Sequence, residues 1–287
     1  MDTVDEVQDE MTAQPTGDEG VRVQHGTYLL ELSLDWIVLR ASENIHHLLR
    51  ESHVTLIDEP LGRFVHAQAL HDLRNLFSRI SGTTGIGRAY AVRLTDDHDL
   101  VDIAFQLAGG RVLLEAVPSN GCFGECFGSV GGLIAGLANS HGRALLDGGA
   151  RRMRALTGYD RVTLSCGDLR SESSRGAFAD ASNASDLPVM IADTDAVGVG
   201  IFPREVDETS ASAALLRSPD AAQRQRLDGQ GIRAIVRVPF TANGRAAEFC
   251  CESRTPREPN LELHAAAELF AQMFAMRLEI DSGKDAG

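Results

Sequence analysis

Residues 151–164, which have the sequence RRMRALTGYDRVTL, predict a helix that ends at a glycine and leads into a strand. Gly158 stands where a left-handed helix C-cap favours a residue without a β-carbon. The β-branched run at residues 162–164 is typical of a strand. The helix is expected to carry an apolar stripe at three- and four-residue spacing, formed by Leu145, Leu146, Met153 and Leu156.

The length and the polarity of the chain limit its class. With 287 residues, the chain is long enough for two domains that each bury a core of their own. No apolar run approaches the roughly 18 residues that a membrane span needs. The N-terminal residues lack the basic and apolar regions of a secretory signal. We therefore expect a soluble, cytoplasmic protein.

The formal net charge of −14 is concentrated at one end of the chain. Residues 1–20 contain seven acidic residues and no basic one, a composition that predicts a disordered, solvated tail. The remainder is mildly acidic. This charge argues against a nucleic-acid partner, because the phosphate backbone binds basic surfaces.

The basic residues and the cysteines exclude several kinds of chemistry. Lysine occurs once, at Lys284, so the chain offers no Schiff-base lysine and no phosphate-binding GK[ST] sequence. The five cysteines, an odd number, predict reduced thiols. No second pair accompanies Cys122 and Cys126 at zinc-site spacing. The histidines within residues 46–53 are expected at the surface, so we predict no metal site.

One glycine-rich segment, SGTTGIGRA at residues 81–89, is similar to the TGxxxGIG turn of short-chain dehydrogenases. Its spacing is one residue short, and a predicted helix rather than a strand precedes it. Neither an acidic ribose ligand nor a Tyr-xxx-Lys pair follows. We therefore interpret the segment as a loop and expect the protein not to be an enzyme.

The predicted elements of the first half follow the order of a PAS domain. Ser42 is expected to cap the first helix. The segments VQHGTYLLEL and ASENIHHLL resemble those that open the phytochrome PAS domain, although the proline of the family's PHG motif is absent. The predicted elements are strands at 27–32 and 36–40, helices at 43–50 and 62–80, and strands at 88–94, 102–107 and 111–117.

TGYDRV resembles the entry to the chromophore-binding GAF domain of phytochromes, and the elements around it follow the GAF order. A turn at Asn243-Gly244 is expected to join the last two strands. The predicted elements are a long helix at 133–157, strands at 162–164, 176–180, 189–192, 232–239 and 246–251, and helices at 210–216 and 261–280.

The predicted fold class is therefore α/β (α+β), a PAS domain followed by a GAF domain, each an antiparallel sheet with flanking helices. The resemblance also implies that residues 21–23 cross the loop at 197–214, which would form a figure-of-eight knot. The expected boundaries are a disordered acidic tail at 1–20, the PAS domain at 21–120, a linker at 121–132, the GAF domain at 133–280 and a tail at 281–287.

The resemblance implies a bilin pocket of which a few positions remain. NASDLP at residues 183–188 is similar to the family's PASDIP motif, whose aspartate contacts the pyrrole nitrogens through its backbone. Asp186 and Pro188 match that motif, and Arg217 matches the family's LRS segment. Gln223 stands in the place of the pocket histidine. A turn role for Asp186 and a surface role for Arg217 agree with the sequence equally well.

The other pocket positions differ from the family. The family's tyrosine, its two propionate-binding serines and its second histidine are replaced, in that order, by Arg226, Ile235, Arg237 and Ser253. Residues 1–26 contain no cysteine and none adjoins Gln223, so no thioether is expected. A buried bilin propionate without an ion pair is unfavourable. We therefore expect no cofactor, with biliverdin held without a covalent bond as the alternative.

These observations predict a phytochrome-related sensory or signal-transduction protein without an output domain, acting as a regulatory binding module for an unknown protein partner. A light sensor that holds biliverdin non-covalently in the GAF domain is the alternative. A homodimer is expected through the apolar stripes of two helices, unless the chain's own sheet covers both. The stripe residues are Leu263, Phe270, Met273, Phe274 and Leu278 in the last helix, and Leu133, Leu137, Leu145 and Met153 in the first GAF helix.

Overall fold

The computed structural model describes residues 20–80, 85–96, 100–120, 124–179, 186–205 and 208–285. Several features discussed above lie outside these residues, namely the acidic tail up to residue 19, residues 81–84 of the glycine-rich loop, Cys122, residues 183–185 of NASDLP and the last two residues.

The elements of the first half are mostly short strands. In chain order they are β1 (Arg22–Val23), β2 (Tyr28–Leu32), β3 (Val38–Ser42), α1 (His46–Leu49), α2 (His53–Leu56), a 3-10 turn (Leu61–Arg63), α3 (Ala67–Ile80), β4 (Gly87–Val92), β5 (Val101–Ala108) and β6 (Arg111–Pro118).

The second half contains the longer helices. In chain order its elements are α4 (Glu125–Ala135), α5 (Gly142–Thr157), β7 (Arg161–Cys166), β8 (Leu169–Ser174), β9 (Met190–Ile191), β10 (Val199–Phe202), α6 (Thr209–Ser212), α7 (Ala221–Gly229), β11 (Ala234–Ala242), β12 (Arg245–Ser253) and α8 (Leu261–Asp285). None of the helices in the described part of the chain combines the length and the apolar composition that crossing a bilayer requires.

The first sheet has seven antiparallel strands in the order β1-β10-β3-β2-β6-β5-β4. Its core includes Trp36, Leu73 and Phe105, which are buried between the strands and α3. Strand β10 comes from the second half of the chain and pairs with β3 of the first half. The two halves therefore share one sheet.

The second sheet has five antiparallel strands in the order β8-β7-β12-β11-β9, and α4, α5 and α8 cover one of its faces. The turn predicted between β11 and β12 is confirmed, because Asn243 and Gly244 have φ angles of 50° and 69°. Together with the first sheet, this arrangement confirms the predicted fold class of antiparallel sheets with flanking helices.

A glycine allows α5 and α8 to approach closely. A β-carbon at Gly149 would lie 2.5 Å from the ring of Phe274, well inside van der Waals contact. The Phe274 ring also contacts Phe249 of β12, with ring centroids 5.4 Å apart. Gly149 disfavours an isolated helix, but at this position it lets an aromatic cluster close over the sheet.

Two carboxylates of α8 bind the N-termini of the other two helices. Glu262 accepts hydrogen bonds from the N–H groups of Gly124 (2.9 Å) and Cys126 (3.2 Å) at the start of α4. Asp281 accepts one from the N–H of Gly142 (2.7 Å) at the start of α5. Helix N-termini carry N–H groups that lack partners within the helix. The last helix therefore fixes both ends of the helical layer.

Three secondary-structure predictions were wrong. The predicted helix at 133–157 is two helices, which are separated by residues 136–141, and the first begins at Glu125 within the predicted linker. Residues 176–179 do not form the predicted strand, whereas β8, which was not predicted, pairs with β7. Ser42 does not cap α1; its hydroxyl accepts a hydrogen bond from the N–H of Leu29.

Residues 20–24 lie between two segments of the second half. Strand β1 pairs with β10, and the N–H of Ser218 donates to the carbonyl of Arg22 (2.8 Å). A β-carbon at Gly198 would lie 2.5 Å from the Ser218 hydroxyl and 3.0 Å from the β-carbon of Arg22, so a larger residue at this crossing would require its neighbours to shift. The expected contact between residues 21–23 and the 197–214 segment is present. The knot itself stays a prediction.

A buried carboxylate on β2 anchors the segment that follows β10. Glu31 is fully buried and accepts hydrogen bonds from Arg40 (3.1 Å), Arg111 (2.9 Å) and the hydroxyl of Ser210 (2.9 Å). Arg40, which is also buried, donates to the carbonyl of Pro203 (2.7 Å). Because an unpaired buried charge is very unfavourable, this network holds Pro203 and Ser210 against the first sheet.

A second buried carboxylate, on β6, binds the backbone further along. Glu115 accepts hydrogen bonds from the N–H groups of Leu215 (2.8 Å) and Leu216 (2.9 Å). Burial raises the pKa of Glu115 to about 7, although these two N–H groups act in the opposite direction. Glu115 therefore changes its charge near neutral pH while it holds the segment between α6 and α7.

A third polar contact joins β4 to α8. Arg88 donates to Nδ1 of His264 (2.8 Å) and forms an ion pair with Glu268 (2.8 Å). Burial and the adjacent Arg88 lower the pKa of His264 to about 3, so this imidazole is neutral at physiological pH. These contacts therefore join Arg88 of β4 to α8, the helix that packs on the second sheet.

The apolar stripes predicted to form a dimer are mostly buried within the chain. Phe270 and Phe274 of α8 are fully buried and Leu278 is 9% exposed. Leu137, which lies between α4 and α5, and Leu145 and Met153 of α5 are fully buried. Leu133, Leu263 and Met273 are partly buried against the same core. This part of the dimer prediction was wrong, because the second sheet and its helices already cover these side chains.

Changing Glu115 to Gln should remove a pH dependence of stability. A raised native pKa means that the contribution of the carboxyl group is complete below its usual pKa of 4.5 and is lost as the pH rises through about 7. The free energy of unfolding of the native chain, minus that of Glu115→Gln, should fall by about 3 kcal/mol between about pH 4 and about pH 8. Urea denaturation at several pH values measures this difference.

The matched control is Glu172→Gln, since Glu172 is an exposed acid on the edge strand β8. The free energy of unfolding of the native chain, minus that of Glu172→Gln, should stay nearly constant with pH. A pH-independent difference for Glu115→Gln would contradict the prediction.

Candidate functional site

The face of the second sheet opposite the helical layer carries a separate apolar cluster. Ile191, Ile235 and Cys250 project from β9, β11 and β12 toward this face, because side chains alternate along strands. Leu227 of α7 and Leu187 pack against them. Leu187 belongs to the segment that the sequence predicted as a site.

The structure brings the four predicted site residues together around one carbonyl group. The carbonyl oxygen of Asp186 accepts a hydrogen bond from Nε2 of Gln223 (2.7 Å) and a longer one from Arg217 (3.4 Å). Pro188 is buried two residues further along. Burial lowers the pKa of Arg217. The clustering is observed; a ligand-binding role for these residues stays a prediction.

Helix α7 positions Gln223 through a capping box. The Asp220 side chain accepts from the N–H of Gln223 (2.8 Å), and the Gln223 side chain accepts from the N–H of Asp220 (3.0 Å). The D-x-x-Q pattern at 220–223 is typical of a capping box and is the local signal that predicts the start of α7. Gln223 thus both begins α7 and fixes the Asp186 carbonyl.

Two further arginines bind the same segment. Arg226 forms two hydrogen bonds with the carboxylate of Asp186 (2.8 and 2.9 Å), and these bonds lower the pKa of that carboxyl group. Arg237 donates to the carbonyl of Leu187 (2.6 Å) and pairs with Glu248 (2.6 Å). The sequence had marked Arg226 and Arg237 only as departures from a family pattern. Their contacts depend on the path of residues 186–187, which no local sequence pattern shows.

Arginines also hold the segment before residue 180 against this face. Arg161 is buried, forms an ion pair with Glu252 and donates to the carbonyl of Ala179 (2.5 Å). The ring of Phe178 lies near two guanidinium carbons, 4.6 Å from that of Arg161 and 3.8 Å from that of Arg254. Such cation–π contacts stabilise the packed position of Phe178.

Two of the predicted reduced cysteines lie side by side on β12. Cys250 and Cys251 are free and buried. Burial raises the pKa of both thiols, that of Cys251 to about 12. Because the thiolate is the reactive form, these side chains are weak nucleophiles. Within the described residues no cluster of three or more His, Cys, Asp or Glu side chains is arranged to hold a metal ion.

Comparison with known proteins shows similarity at the level of structure. No family model matches the sequence, and no curated protein matches it. The chromophore-binding domain of an unusual bacteriophytochrome from R. palustris has a TM-score of 0.75 and 21% identity; the match covers 95% of this chain and 99% of that one. The chromophore-binding domain of Stigmatella aurantiaca phytochrome P1 has a TM-score of 0.73 and 21% identity, covering 91% and 98%.

This chain has the bacteriophytochrome PAS–GAF fold. The resemblance predicted from the TGYDRV segment and the two opening segments is therefore confirmed for the fold. The photosensory core module of the S. aurantiaca protein matches with a TM-score of 0.73, and there the match covers 91% of this chain but 58% of the longer module. In the bacteriophytochrome fold of this chain, Asp186 and Gln223 lie on the sheet face opposite the helical layer.

Changing Gln223 to Ala should destabilise the fold measurably. The change leaves the Asp186 carbonyl with only its long contact to Arg217 and removes half of the capping box. Two lost hydrogen bonds at a buried side chain predict a loss of about 1–3 kcal/mol in the free energy of unfolding. Urea denaturation followed by circular dichroism measures this loss.

Gln225 is the matched control, because it is exposed on the same helix. Gln225→Ala should change the free energy of unfolding by less than about 0.5 kcal/mol. Equal effects of the two substitutions would argue against a structural role for Gln223.

Proposed function

We propose that this chain is a phytochrome-related signal-transduction module that works as a regulatory binding module and does not attach bilin covalently. The proposal rests on one observation. Three residues at positions that the resemblance assigns to the chromophore pocket form hydrogen bonds with other residues of this chain. By the family resemblance, Gln223, Arg226 and Arg237 stand where relatives have a histidine, a tyrosine and a serine of the pocket. In this chain all three bind residues 186–187.

The acceptor that the resemblance assigns to a bilin is already occupied. In relatives the backbone of the motif aspartate contacts pyrrole nitrogens, and at Asp186 that carbonyl accepts from Gln223 (2.7 Å). Opening this site to a ligand would break this partly buried hydrogen bond, which opposes binding. Ile235, at a presumed propionate-binding position, is fully buried in the apolar cluster and offers no hydrogen bond to a carboxylate.

The thiols of this chain also disfavour covalent attachment. Cys250 faces the same side of the sheet as Asp186, but burial raises its pKa well above the usual value. A thioether would require the thiolate or a reactive thiol beside the ligand. The burial of Cys250 therefore supports a module that does not bind bilin covalently.

The alternative is a photoreceptor that holds biliverdin without a covalent bond. Its support is the fold, since two of the similar structures are chromophore-binding domains. Arg217 and the other arginines of this face would supply the cations for the propionates. This alternative requires the contacts of Asp186 to open, whereas the regulatory module uses them as they stand.

Cells that make biliverdin should yield protein without an attached chromophore. After denaturing electrophoresis, the band of this chain should show no zinc-dependent fluorescence, whereas a bacteriophytochrome chromophore-binding domain produced in parallel should fluoresce. A fluorescent band that survives denaturation would contradict the absence of covalent attachment. Serine variants of the five cysteines would then identify the residue.

Titration of the native protein with biliverdin separates the two functions. The regulatory module should give no saturable red absorption band. A band that saturates at one biliverdin per chain, without fluorescence on the denaturing gel, would establish the non-covalent photoreceptor instead.

We further propose a homodimer through α8, using its exposed side. Leu269, Met276 and Ile280 are 39%, 63% and 58% exposed. Their spacing of seven and four residues places them on one helix face, opposite the buried Phe274. The family resemblance implies a dimer bundle at this helix, and these side chains are the apolar ones that the chain leaves uncovered there.

Charges on this exposed stripe should dissociate the dimer. Met276→Glu with Ile280→Glu should give a folded monomer, because burying two carboxylates in an apolar interface is unfavourable. Leu169→Glu, at an exposed apolar position of the edge strand β8, is the control and should remain dimeric. Sedimentation at tens of micromolar measures the assembly state. A monomeric native protein, or a dimeric double variant, would contradict the proposal.

A further inference from the structure

A cavity of about 200 Å³ lies at the edge of the second sheet, on the side of the helical layer. Met190, Leu216 and Val236 line it and belong to the core beneath α5 and α8. Ile235 and Ile191, which also line it, project their side chains toward the opposite face. The cavity is therefore distinct from the Asp186 site. An apolar cavity of roughly 150 Å³ accommodates a benzene ring.

The hydroxyl of Tyr159 lies in the cavity wall. Tyr159 is 6% exposed, and within the described residues its hydroxyl makes no hydrogen bond. Burial raises the pKa of this hydroxyl, so it remains a protonated donor at physiological pH. This donor lies in the wall of a cavity that is large enough for a small molecule.

A guanidinium group is fixed over the ring of Tyr159. The side chain of Arg257 also lines the cavity, and its guanidinium carbon lies 5.3 Å from the centroid of the Tyr159 ring. Its Nη2 donates to the carbonyl of Gly158 (2.8 Å) and its Nε to the hydroxyl of Ser253 (3.2 Å). Nη1 makes no hydrogen bond within the described part of the chain. These contacts hold the guanidinium in place and leave donors for a ligand.

We propose that this cavity binds a small single-ring aromatic carboxylate, with the ring against the apolar wall and the carboxylate on Tyr159 and Arg257. The hydroxyl and the guanidinium are both donors, so an acceptor group is required, and a carboxylate provides two acceptor oxygens. Glu258 also lines the cavity, but it is exposed, and water screens its repulsion of a ligand carboxylate.

Gln24, in the N-terminal segment that packs between parts of the second half, forms hydrogen bonds with backbone groups in the wall of this cavity. The side chain of Gln24 donates to the carbonyl of Met190 (2.6 Å) and accepts from the N–H of Ala192 (2.6 Å). The N–H of Arg257 donates to the carbonyl of Ala192 (2.9 Å). A ligand in this cavity would therefore lie beside Met190 and Ala192, whose backbone groups Gln24 also binds. The proposal does not depend on the proposed function, and a positive or negative bilin result leaves it unchanged.

Benzoate is the probe, and titration calorimetry of the full chain should show saturable binding with a Kd on the order of 1 mM or tighter. Tyr159→Phe keeps the ring and removes the donor, so the affinity should fall about tenfold or more, as expected for a hydrogen bond to a charged group. Benzamide, which lacks the charge, should bind at least about tenfold more weakly than benzoate.

A filled cavity gives a second test. Ala192→Leu should abolish binding, whereas Ala246→Leu, at an exposed position of β12 outside the cavity, should bind benzoate as the native chain does. Methyl NMR of Met190 and Leu216, which line the cavity, shows whether benzoate enters it. If Ala192→Leu fails to fold, the benzoate affinity of Tyr159→Phe still tests the proposal. The proposal is overturned by no saturable binding at about 20 mM benzoate, by equal affinity in Tyr159→Phe, or by equal affinity for benzamide.

Discussion

The architecture depends on two buried carboxylates of the first sheet that hold a segment of the second half. Glu31 binds Ser210 together with two arginines, and Glu115 binds the N–H groups of Leu215 and Leu216. Placing acids inside a sheet core is unfavourable unless each oxygen has a donor. One donor to Glu31, the hydroxyl of Ser210, and both donors to Glu115 come from the second half of the chain. Because of these bonds, β10 adds to the first sheet and residues 20–24 are enclosed between β10 and residues 216–218.

The second sheet uses its two faces in different ways. One face packs against three helices around Phe249 and Phe274, and Gly149 allows those helices to approach. The other face carries an apolar cluster and a set of arginines that bind backbone carbonyls. In relatives of this fold the corresponding positions are those that the resemblance assigns to a chromophore. In this chain Gln223 and Arg237 donate to carbonyl groups of the protein itself.

Much of the fold follows from local sequence signals, and the errors have identifiable causes. The glycine stop at 158 and the Asn243-Gly244 turn were predicted because their backbone conformations favour particular residues. The break between α4 and α5 was missed because the glycine-rich run at 128–136 retains apolar spacing that also suits one long helix. The apolar stripe of α8 was assigned to a dimer because periodicity identifies a buried face but not the partner that buries it.

The sequence alone indicated most of the helices and strands, the class of antiparallel sheets with flanking helices, and positions 186, 188, 217 and 223 as a candidate site. Those features depend on residue types and short spacings. The tertiary structure alone decided that β10 joins the first sheet, that Arg226 and Arg237 bind residues 186–187, and that a cavity lies beside Tyr159. Each of these contacts links residues far apart in the chain, and its geometry depends on packing that no local pattern encodes.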